Sequence, residues 1–180
     1  MPYFQKIQGE RIYLSPLDPA NAELHARWIN DFEVARWVRQ YGRAFGLPAE
    51  QDWADHIAKD SSNYCFVIVL RDGERPIGTV DLRDLEPLNR TATLGILIGE
   101  ADCRGKGYGA EAIRLLLEYG FQWLNLHNID LTVNSENARA IACYTKVGFR
   151  EYGRRHEALF FNGHYVDIVR MEILAQNWAK

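Results

Sequence analysis

The segment Arg104-Gly105-Lys106-Gly107-Tyr108-Gly109-Ala110 places three glycines between an apolar run and a stretch of helical periodicity. Glycines let a backbone approach a ligand closely, and the first amides of a helix lack intrahelical partners, so such a turn can hold a pyrophosphate. The string also satisfies G-x-G-x-x-A through Gly105, Gly107 and Ala110, with Asp130 25 residues beyond Gly105. That dinucleotide fingerprint should open a strand–helix–strand unit of a parallel sheet, whereas the strands read before this one are antiparallel. A Walker A loop fails as well, because Lys106 is followed by Gly107 instead of Ser or Thr. A glycine-rich connection with no ligand is the alternative reading. Further along, Asn137 and Tyr144 are seven residues apart, which at about 3.6 residues per turn puts them on one helix face with Ala140 and Ile141 between them. A tyrosine hydroxyl, with a pKa of about 10, is protonated near neutrality and can give its proton to a departing group. The plainer role for Tyr144 is to pack its ring against a sheet.

The elements that must position these residues are legible from pattern. Arg11-Ile12-Tyr13-Leu14-Ser15 alternates as a first strand, and Asp18 followed by Pro19 caps a helix running to about Ile29. Asp31 could cap a second short helix through Val38, and Pro48 could start a third, with Trp53 and Ile57 on one face. The stretch from Tyr41 to Pro48 reads as a loop. Tyr64 to Leu70 is a dense apolar run, Arg71-Asp72-Gly73-Glu74 supplies hairpin chemistry, and Ile77 to Leu82 resumes an extended pattern. Ala92 to Ile98 is a buried strand leading into the glycine turn. Ile113, Leu116, Leu117, Gly120, Phe121 and Leu124 then recur at helical spacing, with Glu111, Arg114, Glu118 and Gln122 on the opposite face. Ile129 to Val133 is the next strand, and strand–helix–strand at this length suits a parallel crossover. Asn137 to Lys146 is helical, with Gly148 ending it, and Phe160 to Tyr165 reads as two strands joined at Asn162-Gly163.

At 180 residues and 47% apolar composition, one core of ordinary size and a single domain over 1–180 are expected. Lys and Arg number 21 against 24 Asp and Glu, for a formal net charge of −3, so no basic footprint for nucleic acid is present. Apolar runs such as Phe66 to Leu70 are far short of the roughly 18 residues of a membrane span. The start of the chain lacks a signal-peptide apolar region, and Cys65, Cys103 and Cys143 are an odd set without CxxC spacing. A reduced, cytoplasmic protein is expected, with no membrane or nucleic-acid partner. Cysteine and histidine spacing offers no zinc site, so no metal is expected.

In its residues the chain resembles the GNAT N-acetyltransferases, whose acetyl-CoA loop is Arg/Gln-x-x-Gly-x-Gly/Ala; Arg104, Gly107 and Gly109 match it. The run from Leu94 through Glu100, and on from Gly107 to Ala112, is similar to the RimJ/RimL branch. A second motif of that branch, Asn-x-x-Ala-x-x-x-Tyr-x-Lys-x-Gly-Phe, is met by Asn137, Ala140, Tyr144, Lys146, Gly148 and Phe149. The resemblance implies an α+β (mixed α/β) GNAT fold: a central, mostly antiparallel twisted sheet of about seven strands, one parallel crossover and helices on both faces. It implies acetyl-CoA as co-substrate, its pyrophosphate on the amides of Lys106, Gly107, Tyr108, Gly109 and Ala110, with Gly105 also among the cofactor-binding residues. Its pantetheine would lie along the strand edge at Ile96, Leu97 and Ile98, opened by a bulge or splay towards the next parallel strand. Arg104 or Lys106 could also face a phosphate. Asn137 would contact the pantetheine, and Tyr144 would protonate the departing thiolate. Cys103 is taken as incidental, because the family transfers acetyl directly.

An amine must be neutral to attack a thioester, which raises the question of the base. Related sequences often carry Glu in the strand before the loop, where this chain has Thr93, which cannot serve near neutral pH. Glu33, Asp81, Glu100 and His127 are the remaining candidates, along with a water chain that lets the amine arrive neutral. His127 has the best unperturbed pKa, although a histidine entering a strand is commonly structural. Glu33 falls in the helical region that in this family walls the acceptor site, where it could bind a cationic amine or simply be solvated. Trp28, Trp37, Trp53, Trp123 and Trp178 read mostly as core or interface residues, of which one could line the acceptor pocket. The tail Phe160 to Asp167 with Arg170-Met171 is similar to that of spermidine acetyltransferases, which points to a polyamine or aminoglycoside-like primary amine. N-terminal acetylation of a ribosomal protein is the rival enzymatic reading, and an acyl-CoA-binding module with little catalysis is the other. A homodimer is an expectation from the family.

Overall fold

Apolar residues of period two become strands, and those of period near 3.6 become helices laid against them. The computed structural model describes residues 3–38 and 40–178. The elements are β1 (Ile7–Gln8), β2 (Ile12–Pro16), α1 (Ala22–Asn30), α2 (Phe32–Ala35), α3 (Leu47–Lys59), β3 (Tyr64–Leu70), β4 (Pro76–Glu86), β5 (Thr91–Ile98), α4 (Tyr108–Glu118), β6 (Asn128–Asn134), α5 (Ala138–Val147), β7 (Arg150–Phe161) and β8 (His164–Leu174). One eight-stranded sheet runs in the order β1-β2-β3-β4-β5-β6-β8-β7. Among the described residues every neighbouring pair is antiparallel except β5–β6. The strand beyond the expected seven is β1, whose two residues are too few to show an alternation and which pairs Ile7 with Leu14 at the sheet edge.

Alternation along β4 and β5 divides the sheet into two faces. Val80, Leu82 and Leu94 join Ile113, Leu116 and Leu117 of α4 in the main core. Thr79 and Asp81, paired with Leu97 and Gly95, lie on the other face, where Leu97 packs with Trp28 and Ile29 of α1 and Val34 of α2. Helices therefore cover both faces.

Local departures from the expected elements have identifiable causes. Asp18 accepts from the Ala20 amide at 2.9 Å, and the turn Pro19–Asn21 is 3-10 before α1 begins. Asp31 caps α2 through the Glu33 amide at 3.0 Å, but that helix lasts four residues instead of reaching Val38. The periodic stretch after the glycine turn is α-helical only to Glu118 and then widens into a π turn, Tyr119–Trp123. Gly120 lies in that turn, where a Cβ would stand 2.9 Å from Ile129 Cδ1, so the missing side chain lets the turn sit against the sheet. Tyr119 thereby meets Tyr64 and Phe66. At the far hairpin Asn162 (φ 50) and Gly163 (φ 87) form the two-residue turn that the sequence suggested. Among the described residues no helix is long and apolar enough to cross a membrane.

Two contacts set the entrance to α4. Glu111, in its first turn, accepts from the Arg11 amide (2.8 Å), the Arg11 Nε (2.8 Å) and the Ile12 amide (3.3 Å), satisfying the start of β2. At the end of β5, Gly99 lies against the Trp28 ring, and a Cβ there would come within 2.2 Å of it. Trp28 is buried and its Nε1 donates to Glu100 at 2.8 Å, so the ring cannot easily withdraw. Gly99→Ala is expected to destabilise the fold by about 1–3 kcal/mol through overpacking, read by urea unfolding. Glu111→Ala leaves two strand amides without their acceptor and should cost about 1–3 kcal/mol in the same measurement, with Glu111→Gln recovering part of it by accepting from the amides.

Candidate functional site

The glycine turn has a shape that can cradle an anion. Gly105 and Gly107 adopt φ of 75° and 87°, a left-handed region that side chains rarely occupy. Gly107 is the residue before α4, and the Glu111 amide is bonded to its carbonyl at 3.1 Å. Among the described residues the amides from Gly105 to Ala110 have no protein acceptor. They are the orphan donors of a helix start, where the helix dipole also favours a negative group.

Side chains around the cradle hold it in shape. Arg104 donates from Nε to the Ile98 carbonyl (3.1 Å) and from Nη2 to the Gly99 carbonyl (2.7 Å) and Asp31 (3.3 Å). Those bonds pin the turn to the end of β5, so the guanidinium is engaged there instead of standing free for a phosphate. Lys106 is exposed, and its carbonyl accepts from Arg11 Nη1 at 3.0 Å. Tyr108 lies with its ring 4.8 Å from the Arg11 guanidinium, leaving its amide for the cradle. Gly109 and Ala110 line the cleft that the turn faces.

That cleft exists because β5 and β6 part. They pair only at Thr91, Ala92 and Thr93 with Asn128, Ile129 and Asp130. From Leu94 to Ile98, β5 is bonded to β4 alone, and beyond Asp130, β6 is bonded to β8 alone. The opened edge of Ile96, Leu97 and Ile98 carries backbone groups that an extended amide-containing chain could pair with. A cavity of about 630 Å³ runs through the gap, within the ordinary range for a small-molecule site.

α5 supplies the next groups. Asn137 caps it, its Oδ1 accepting from the Ala140 amide at 3.1 Å, so the side chain offers only its NH2 as a donor to the cleft. Seven residues on, Tyr144 packs edge-on against Phe149 at 6.0 Å and lines the same cavity. Its hydroxyl has no protein hydrogen-bond partner among the described residues. Burial, with a lesser contribution from Cys143, pushes its pKa above the ordinary phenol value. The group is therefore a protonated donor across the physiological range.

At the opposite end the cavity is walled by α1, α3 and the far face of the sheet, and this wall includes residues that pattern did not reveal. Glu50 of α3 is only 3% exposed, and its carboxylate bonds to His25 Nδ1 of α1 at 2.5 Å. The His25 ring stacks on Trp53 at 4.2 Å. Cys65, Asp81 and Arg83 complete the wall from β3 and β4. His25 and Glu50 are 25 residues apart, and no local spacing links them; only the packing of α1 on α3 does. Trp53 did carry a signal, as an aromatic on the inner face of α3.

The candidate bases separate by location. Glu100 accepts from Trp28 Nε1 and Arg75 Nη2, both at 2.8 Å, and from Arg27. Burial raises its pKa, but these donors outweigh that and hold it below the usual carboxylate range. His127 is exposed at the entry to β6, with its backbone bonded to Arg90 and Ala175, and it lies outside the cavity. Thr93 donates its hydroxyl to Asp130 at 2.9 Å. Glu33 lines the cavity and pairs with Arg36 at 3.4 Å. Asp81 lines it directly. Cys65, Cys103 and Cys143 all have thiols whose pKa is pushed up by burial, which suits none of them as a nucleophile. Among the described residues no group of three or more His, Cys, Asp or Glu side chains is arranged to hold a metal ion.

Comparison with known proteins agrees with this geometry. Residues 11–150 match the acetyltransferase (GNAT) domain family. The chain is 32% identical over 168 residues to the spermidine N(1)-acetyltransferase of Escherichia coli K12, covering 93% of this chain and 88% of that protein. It is 38% identical over 130 residues to the Vibrio cholerae spermidine N(1)-acetyltransferase, covering 72% of this chain and 73% of the other. The crystal structure of spermidine N-acetyltransferase from Vibrio cholerae in complex with CoA and spermine superposes with a TM-score of 0.87 at 27% identity, covering 94% of this chain and 99% of that one. With an amide cradle, a parted strand pair and a matching domain family over most of its length, the chain belongs to the GNAT family and is an acetyl-CoA-dependent acetyltransferase acting on an amine.

Proposed function

We propose that this enzyme transfers the acetyl group of acetyl-CoA to a primary amine of a small polycation, a polyamine or an aminoglycoside-like molecule, by direct attack of the amine on the thioester. The observation that carries the reading is the continuity of the cavity. It runs from the unbonded amides of Gly105 to Ala110, past the Tyr144 hydroxyl, to a wall carrying Glu33, Glu50 and Asp81 beside Trp37 and Trp53. Carboxylates and aromatic faces together suit an alkylammonium chain, through charge at its nitrogens and apolar contact between them. The relatives named for spermidine support the same choice of acceptor.

In this reading the cradle amides hold the CoA pyrophosphate, and the free edge of Ile96, Leu97 and Ile98 pairs with the pantetheine. The Asn137 NH2 donates to one of its carbonyls. The amine lone pair forms the new C–N bond, the C–S bond breaks, and the Tyr144 hydroxyl gives its proton to the departing sulfur. Asn137 and Tyr144 can serve one ligand because they share a face of α5.

The first test is acetyl-CoA-dependent thiol release against polyamines, aminoglycosides, amino acids and N-terminal peptides, with CoA binding measured alongside. A polyamine or aminoglycoside should be the strong acceptor; preference for a ribosomal N-terminal peptide would replace this reading. Tyr144→Phe should lower kcat by about 10²- to 10⁴-fold while CoA affinity is kept, the split expected of a proton donor used only in the chemical step. Equal loss of CoA binding would assign Tyr144 to packing.

A further inference from the structure

The strand before the cradle carries Thr93 where a carboxylate would be sought, and its hydroxyl is engaged with Asp130. The neighbouring strand supplies a carboxylate instead. Register pairs Asp81 of β4 with Gly95 of β5 and Arg83 with Thr93, which puts Asp81 one diagonal step from Thr93 on the same face of the sheet. The step leads from the apex of the gap into it, since Gly95 belongs to the unpaired part of β5 and lines the cavity. Gly95 makes the room: a Cβ there would come within 2.6 Å of Asp81 Oδ1 and 2.8 Å of Arg83 Nη1. Asp81 Oδ2 accepts from Arg83 Nη1 at 3.3 Å, a long contact, and among the described residues no donor reaches Oδ1. A half-buried carboxylate normally collects more donors than this. Asp81 lines the same cavity as Tyr144, and the two groups are near enough to interact electrostatically.

From this arrangement we infer that Asp81 is the catalytic base, taking the proton from the acceptor ammonium ahead of its attack on the thioester. The inference rests on the acetyltransferase reading of the cavity. One N–H bond of the ammonium breaks and its proton passes to the Asp81 carboxylate, leaving the nitrogen lone pair free. That pair forms the C–N bond and the C–S pair leaves with sulfur, which takes the Tyr144 proton. The second proton of the nitrogen restores Tyr144, and Asp81 releases its own proton to solvent. One acetyl group is transferred and one proton is set free per turnover.

The groups facing Asp81 come from every neighbouring element: Arg83 and Asp84 from β4, His25 from α1 with Glu50 behind it, Cys65 from β3 and Tyr144 from α5. Burial raises its pKa, Arg83 and His25 oppose the rise, and Asp84 adds to it; the net direction is upward. Because the working form is deprotonated, kcat/KM should climb as pH rises through a pKa that is raised from the ordinary aspartate value.

Asp81→Asn should lower kcat/KM for the best amine by about 10²- to 10³-fold near pH 7. The deficit should then shrink by about tenfold per pH unit towards the pKa of the amine, because above it the amine arrives neutral. An acceptor of lower pKa should be less sensitive to the variant. Asp81→Ser is run beside it so that misfolding of one variant does not decide the result, with a thermal melt and CoA binding on both. Gly95→Ala should lower kcat through displacement of the carboxylate while Asp81 is retained. Losses that are constant with pH, or that fall on KM alone, would overturn the assignment and leave Asp81 as a binding or packing residue. Unchanged rates would overturn it too. A wild-type protein that releases no thiol with any amine would overturn both the acetyltransferase reading and this one, whereas normal wild-type turnover with insensitive variants would remove only the base.

Discussion

The parting of β5 from β6 is the constraint on which the remainder of this structure depends. Two parallel strands keep three paired positions and then give up the others, although unpaired backbone amides and carbonyls in a sheet are costly unless something else meets them. The last pair is fastened by side chains: Thr93 donates to one oxygen of Asp130, and Tyr152 donates to the other at 3.2 Å. Thr93 is thus the point at which the gap begins. A threonine that looks like a missing carboxylate in the sequence is, in the fold, the fastener that fixes how deep the gap runs.

Around that gap, charge and shape hold what glycine alone could not. Gly105 and Gly107 give the turn its left-handed conformation, but freedom to adopt a shape is not the same as being held in it. Arg104 ties the turn to the carbonyls of Ile98 and Gly99, and Glu100 gathers Trp28, Arg27 and Arg75 on its carboxylate. α1 is thereby drawn to the end of β5, which sets the distance between the glycine turn and the helices that wall the far end of the cavity. The cation of the turn motif serves the protein, and the backbone amides of the turn remain without a protein acceptor among the described residues.

Much of this was legible in the sequence where the signal is local. The dense run Tyr64 to Leu70 is a strand with the expected bounds, Asn162-Gly163 turns the last hairpin, and Gly148 ends α5 as its residue type suggests, whereas Asn137 caps that helix instead of being its first residue. The glycine turn, its helix and the parallel crossover follow from periodicity and from one motif. What escaped is set by tertiary register. The His25–Glu50 pair depends on how α1 lies on α3, and Asp81 reaches the cavity because of the side of β4 it occupies, while Glu33 reaches the same cavity from α2. The π turn after α4 escaped for a related reason: an apolar period continues through it, and only the closeness of Gly120 to Ile129 shows that the helix widens there.

The anchoring of the cradle to the start of the chain also bears on how the protein becomes competent. Arg11 bonds to the Lys106 carbonyl, lies over Tyr108 and shares Glu111 with Ile12, so residues about a hundred positions apart must meet before the start of α4 is fixed. Contacts of such sequence separation form late and slowly, because the entropy of closing the intervening loop is lost before any of them is made. A nascent chain that has produced β2 must therefore wait for α4, and a partly assembled intermediate has the glycines without the geometry they serve. The shape of the turn before α4 is consequently a property of the completed long-range assembly, and no local segment of the chain carries it alone.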